Sequence, residues 1–224
     1  MRTMTRSGGL GVRRISMGCV LVALSLGSWS GAEAAVLEVT PAAGETVAEE
    51  TTAKAKAVKG VKKVERYLLI KAKPHEVIGV EVEAPLRVVT LQGVVEAKLD
   101  TGKAFRKEDE GKNVAIVGSK VYAEDYGYRG GAGAMVTMKH LLEVGQTFKL
   151  TGDAGPRIRV LGTLASKPEA AERVFLPLPT AQKLFDRAGQ VSHLFVVVDG
   201  DGEATAKDLQ SALGSGVQVR AVSR

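Results

Sequence analysis

The run VFLPLPTAQKLFDRAGQVSHLFVVVDG, Val174 to Gly200, decides what kind of chain this is. Val174 to Leu178 is a short apolar strand pattern. Pro179 ends it, because proline brings no N–H to a ladder. Thr180 is placed as N-cap for a helix over 181–188. Ala181, Leu184, Phe185 and Ala188 fall there at i, i+3, i+4 and i+7, and Gly189 closes the helix. The next segment, SHLFVVVDG, is short, apolar and rich in β-branched residues, which predicts a buried strand. Strand, helix and strand within 27 residues point to a mixed α and β domain.

The same alternation continues outward. Downstream, Thr205 and Asp208 resemble a capping box for a helix through Leu213, with Gly214 after it, and VQVRAV ends the chain as a strand. Upstream, QTFKLTG (Gln146–Gly152) and RIRVLGTL (Arg157–Leu164) flank Asp153–Pro156 and read as a hairpin. NVAIVG (Asn113–Gly118) has a buried-strand pattern. Val64 to Val89 reads as two strands around Lys73-Pro74-His75. In the second, Ile78, Val80 and Val82 alternate with Gly79, Glu81 and Glu83, so one face is expected in water. Pro85 marks an edge or a bend. Residues 44–58 form a weak amphipathic helix pattern, with Val47, Thr51, Ala55 and Val58 on one stripe and Gly60 for the left-handed turn. The lysines at 54, 56, 59, 62 and 63 read as a solvated face that complements the helix dipole. One internal echo ties the ends together. AKAVKGVKKVERYLLI (Ala55–Ile70) and LQSALGSGVQVRAVS (Leu209–Ser223) share the order helix end, glycine, strand.

The extreme N-terminus has a different character. Ile15 to Trp29 is a 15-residue apolar run, about 22 Å long as a helix. A bilayer core of about 30 Å wants about 20 residues. Arg2, Arg6, Arg13 and Arg14 precede the run and Ala32-Glu33-Ala34 follows it. Basic start, short apolar middle and small-x-small exit make a secretory signal peptide, cut after Ala34. The alternative is an uncleaved anchor. Cys19 lies near the start of the apolar run, whereas a lipid-bearing cysteine follows one. Cutting after Ala34 removes four arginines and one glutamate, taking the net charge from +6 to +3, and removes the single cysteine. A mild, dispersed charge argues against a nucleic-acid binder. A thiol-free chain folds in an oxidising compartment without mispairing.

Chemistry-bearing motifs are weak. His75, His140 and His193 have no second ligand type at metal spacing, so structural roles are expected. DGDGEATAKDLQ (Asp199–Gln210) begins like a calcium loop. Gln210 stands where a bidentate glutamate is needed, so a turn into a capped helix is expected instead. Ser119 follows a strand without the Gly-x-Ser-x-Gly elbow. GYRGGAGAM (Gly127–Met135) lacks the ends of a P-loop or dinucleotide loop and reads as a mobile loop. Tyr126, Tyr128, Arg129, Met135 and Met138 make that region the candidate partner contact, since Tyr, Arg and Met are enriched where proteins meet. No catalytic residue, cofactor or metal is assigned.

The order of segments carries a resemblance. GVVEAKLDTGKAFRKEDEGKNVAIVGSKVYAE (Gly93–Glu124), LLEVGQTFKL (Leu141–Leu150), RIRVLGTLASKP (Arg157–Pro168) and the opening run resemble the periplasmic core domain of MacB-type ABC transporter permeases. That domain also occurs in lipoprotein-releasing and other FtsX-like permeases. The likeness spans roughly Val61 to Val222, and each motif alone is only a strand-and-turn pattern. It implies an α+β fold: an α/β porter-like lobe from about 35–90 and 190–224, and an inserted β-rich lobe over about 91–189. It also implies a non-catalytic periplasmic role, in which the domain couples membrane movements to a protein or an amphiphilic substrate. The expected partners are an ABC permease and ATPase complex or a periplasmic protein, with no nucleic acid. Family permeases carry one membrane helix before this domain and three after. Here a signal-like leader stands first and the chain stops at Arg224, so no translocation path of its own is expected. Asp125–Leu141 has no family counterpart. Against this reading stand a membrane-anchored bitopic subunit and a small secreted hydrolase, for which no base-and-nucleophile pattern is found.

Overall fold

The computed structural model describes residues 35–44, 46–90, 93–129, 134–150 and 155–222. The proposed signal segment, 1–34, lies outside them. The chain opens with β1 (Ala35–Pro41), α1 (Glu49–Ala57), β2 (Val61–Lys71) and β3 (Glu76–Val80). Short strands follow: β4 (Arg87–Thr90), β5 (Gly93–Glu96), β6 (Leu99–Gly102) and β7 (Val114–Val117). Then come β8 (Tyr122–Arg129), β9 (Ala134–Leu141), β10 (Thr147–Lys149) and β11 (Arg157–Leu164). The chain ends with β12 (Arg173–Pro177), α2 (Leu178–Leu184), β13 (His193–Val198), α3 (Gly202–Leu213) and β14 (Val217–Ala221).

Ten of the described strands form one mixed sheet in the order β10-β11-β7-β12-β3-β2-β13-β1-β14, with β6 also paired to β11. β4–β5 and β8–β9 are separate two-stranded sheets. At one end of the large sheet, β2-β13-β1-β14 are mutually antiparallel. With α1 between β1 and β2 and α3 between β13 and β14, this is the split β-α-β arrangement of ferredoxin-like units. The two segments that echo each other in sequence are its two helix-to-strand halves. Both helices lie on one face. Ala55 of α1 and Leu209 of α3 are fully buried in a cluster with Leu37, Val39, Leu68, Leu194 and Val196.

β1 was not expected, and it sits between β13 and β14. β13 was expected, and its Leu194, Phe195, Val196 and Val198 are all fully buried. β3 differs from the expected half-exposed strand. Val77, Ile78 and Val80 are all buried, because β2 and β12 flank it and both sheet faces are covered. Gly79 is part of that cover. A Cβ there would stand 2.7 Å from the Cβ of Ala181, so glycine lets α2 press on the sheet.

Three helix boundaries shift from expectation. α1 is shorter than 44–58, and Gly60 serves the following turn, at φ 87° beneath a Val61 N–H to Val58 carbonyl bond of 3.2 Å. α2 starts at Leu178 and ends at Leu184, so Thr180 is not its N-cap. Pro179 fits the first turn, where its missing N–H leaves no ladder bond unmade. The Thr180 hydroxyl instead donates to the carbonyl of Lys112 at 2.8 Å, tying α2 to the approach to β7. For α3 the cap is Asp201, which accepts from the N–H groups of Glu203 and Ala204, and Thr205 lies inside the helix. The calcium-like segment is therefore a turn into a capped helix, with Asp199 paired to Lys62 at 3.0 Å.

Candidate functional site

β8 and β9 form an antiparallel hairpin from Tyr122↔Leu141 to Arg129↔Ala134, and among the described residues they pair only with each other. Seven residue steps give the ladder a reach of about 24 Å. Residues 127–129 and 134–135, expected as mobile loop, are thus paired strand. All five candidate contact residues lie in this hairpin, and they are placed by backbone register, their side chains being outside the description. Tyr128 opposes Met135, and Asp125 opposes Met138.

The foot of the hairpin is anchored. The Leu142 N–H donates to the Val121 carbonyl at 3.1 Å. Buried His75, between β2 and β3, places Nε2 3.3 Å from the Tyr122 carbonyl and its ring edge-on to the Tyr122 ring, centroids 4.8 Å apart. A carbonyl only accepts, so Nε2 carries the proton. Lys139 Nζ lies 4.4 Å from the centre of the Tyr122 ring and 3.1 Å from the Glu124 carboxylate. Leu141 (60% exposed) and Val144 (44%) are the large apolar side chains that the described surface leaves in water, and both sit at this foot.

The second feature is a cleft of about 450 Å³ where the ferredoxin-like unit opens. β1 ends at Pro41, loops away, and returns at Val47 to bridge Val191. β13 pairs with β2 from Tyr67↔His193 to Val61↔Val198, so the end of β2, Leu68 to Lys71, runs past it. The gap is walled by Thr40, Pro41, Gly44 and Thr46 on one side and Leu68–Lys71 on the other, over Ser192 and His193, with Arg187 beside them. Under it runs a relay of hydrogen bonds and close charge contacts. The Leu69 N–H donates to Ser192 Oγ at 2.7 Å, and Ser192 Oγ is 2.8 Å from His193 Nδ1. His193 Nε2 is 3.5 Å from Glu38 Oε1, and Arg220 Nε donates to Glu38 Oε2 at 2.5 Å. The residue types match a nucleophile, base and carboxylate. Ser192, however, is buried and already accepts a backbone N–H, so the relay joins β1, β2, β13 and β14.

Burial lowers the pKa of both His75 and His193. The Tyr122 carbonyl opposes the shift at His75, and Glu38 opposes it at His193. A histidine whose folded pKa is depressed gives stability that is complete above its unfolded value of 6.5 and lost as pH falls below it. The melting temperature is therefore expected to fall between pH 7.5 and 5, and His75→Gln to flatten part of that slope. A melting temperature constant over this interval would contradict the assignment.

A sequence profile of the MacB-like periplasmic core domain matches residues 15–214. The chain belongs to that family. Two solved structures share the fold. The extracellular domain of the noncanonic ABC-type transporter YknZ from Gram-positive bacteria superposes with a TM-score of 0.55 at 16% identity, over 83% of this chain and 99% of that one. The periplasmic region of MacB from Actinobacillus actinomycetemcomitans gives 0.54 at 11% identity, over 83% and 88%. Among curated proteins none matches by sequence. No helix among the described residues is long and apolar enough to cross a membrane.

Within this MacB-like domain, two surface features escaped the sequence. The cleft draws on Thr40, Pro41, Gly44 and Thr46, on Leu68–Lys71, and on Arg187, Ser192 and His193, which share no local motif. The exposed foot residues Leu141 and Val144 carry a weak signal, being apolar residues beside the Gly145 turn.

Proposed function

We propose that this is a non-catalytic, extracytoplasmic domain that serves an ABC-type export or envelope-transport machine by holding a partner protein through the β8–β9 hairpin. The carrying observation is the hairpin itself: a two-stranded sheet with its own ladder, its foot fixed by His75 and flanked by exposed Leu141 and Val144. Exposed apolar residues beside an aromatic-rich strand pair suit a contact surface. Membership of the MacB-like family supports a permease and its ATPase as the partner complex. In this reading the terminal α/β unit is the porter-like lobe, and about 91–189 is the inserted lobe that presents the hairpin.

The test removes Gly127–Ala134 and captures partners from native envelope extracts with the tagged protein. Capture of an ABC permease or ATPase by the parent chain, and its loss in the deletion at unchanged melting temperature, is the expected result. Equal capture by both proteins contradicts the proposal.

Localisation in the periplasm follows if the leader is removed after Ala34. That cut falls immediately before β1 and leaves the strand whole. A second reading, a membrane-anchored subunit, has one observation in its favour: the family match begins at residue 15, inside the apolar run. N-terminal sequencing of the exported protein separates the two. Ala35-Val36-Leu37 supports the free domain, and an intact Met1 in alkaline-washed membranes supports the anchor.

A further inference from the structure

We infer that Gln210 is an autoinhibitory cap on the large sheet: its side-chain amide holds the outer edge of β14 against pairing with β14 of a second copy of this chain. β14 ends the sheet and, among the described strands, pairs only with β1. The Ala42 N–H donates to the Gly216 carbonyl and the Val222 N–H to the Val36 carbonyl, both at 3.0 Å. The even-numbered residues of β14 therefore face β1, and Val217, Val219 and Ala221 turn their backbone groups outward. Gln210, in the last turn of α3, meets that outer row. The Val219 N–H donates to Gln210 Oε1 at 3.0 Å, and Gln210 Nε2 donates to the Val217 carbonyl at 3.0 Å. One amide thus accepts and donates at successive outward residues, as a peptide group of an adjoining strand would. Gln210 Nε2 also donates to the Gly214 carbonyl at 2.8 Å, which fixes the side chain in place.

An open edge strand is a template for another chain, and short length, proline or lysine commonly blunts it. β10, at the opposite end of the sheet, is three residues long and ends in Lys149. β14 is VQVRA, five residues without proline or lysine, and its Arg220 is engaged by Glu38. The strand is also self-complementary. An antiparallel pair centred on Val219 sets Gln218 against Arg220 and Val217 against Ala221, so no like charges meet. The two Val219 residues would then exchange both backbone bonds. Gln210 occupies one of the groups that this exchange needs.

Sedimentation equilibrium of the exported protein is the test, with Gln210→Ala and with Gln210→Ala plus Val219→Pro. Gln210→Ala is expected to self-associate about tenfold more tightly than the parent, equivalent to about 1.4 kcal/mol. The added proline is expected to abolish that gain. It removes only the outward N–H of β14, so the bonds to β1 survive, and it would not rescue association caused by unfolding. In dilute protein the Val219 amide is expected to exchange with solvent faster in Gln210→Ala than in the parent. The inference is overturned if Gln210→Ala associates no more tightly, if the proline leaves the gain in place, or if the Val219 amide exchanges equally fast in both proteins. It is also overturned if the parent already associates and Val219→Pro alone abolishes this, since the edge would then be open. Deletion of Gly127–Ala134 is expected to leave the gain intact. Its loss there would assign the association to the β8–β9 hairpin and overturn the inference.

Discussion

Phe195→Ala is expected to lower unfolding free energy by about 3–5 kcal/mol, the cost of emptying a large buried aromatic site. Phe195 is fully buried in the middle of β13. Its ring meets that of Tyr67 edge-on, with centroids 4.9 Å apart and planes at 87°. The Arg87 guanidinium covers it at 5.1 Å. Its cross-strand neighbours are Glu38 on β1 and Glu65 on β2. The ring therefore separates two buried carboxylates, each capped by an arginine. Alanine would remove the spacer and leave a void between them, so the site cannot collapse freely. Tyr67 tightens the same cluster. Burial pushes its phenol pKa up, against the nearby Arg87, so the hydroxyl stays protonated and donates to the Pro85 carbonyl at 2.5 Å. Urea unfolding reads the loss as a lower midpoint at constant slope. A loss under about 1 kcal/mol would mean that this face is not a packed core.

Arg87→Met should cost about 3 kcal/mol, for an electrostatic reason. Arg87 and Glu65 form an ion pair whose side chains are 11% and 3% exposed. Removing one member of a buried pair leaves the other charge without compensation, typically at 3–5 kcal/mol. Lys63, 3.1 Å from Glu65 but half exposed, offsets part of the loss, which sets the expectation near the lower end. The decisive comparison is the double variant Arg87→Met with Glu65→Leu. Replacing both charges by apolar groups is expected to recover most of the loss, because the desolvation cost disappears with the pair. Strictly additive losses in the double variant would show that the two side chains act independently.

The legible parts of the fold were those with an unbroken physical signal. β13 and β7 are short apolar runs buried on both faces, and no polar residue interrupts them. α3 ended where Gly214 allowed it to. The β10–β11 hairpin and the β2–β3 pair followed from turn residues between apolar runs. β1 stayed hidden because it follows directly on the apolar leader and places Glu38 in the interior, where only the later arrival of Arg220 and His193 makes a charge tolerable. Thr180 looked like a cap by residue type, but a carbonyl 68 positions earlier in the chain claims its hydroxyl. β3 read as half-exposed because alternation cannot reveal how many strands and helices will later cover both faces. In the candidate site, the sequence singled out its segment by Tyr, Arg and Met content. The glycines there suggested a loop, whereas the register of β8 against β9 makes a ladder. The cleft was invisible beforehand because it exists only where three distant segments fail to close the sheet.

Photocrosslinking in living cells tests partner capture by the hairpin most directly. A photoreactive phenylalanine analogue would replace Tyr128 or Leu141 on the hairpin, or Lys207 on the exposed side of α3 as the control. The account predicts crosslinks to an ABC permease or its ATPase from Tyr128 and Leu141, and none from Lys207. Crosslinks of equal strength from all three positions, or from Lys207 alone, would contradict it.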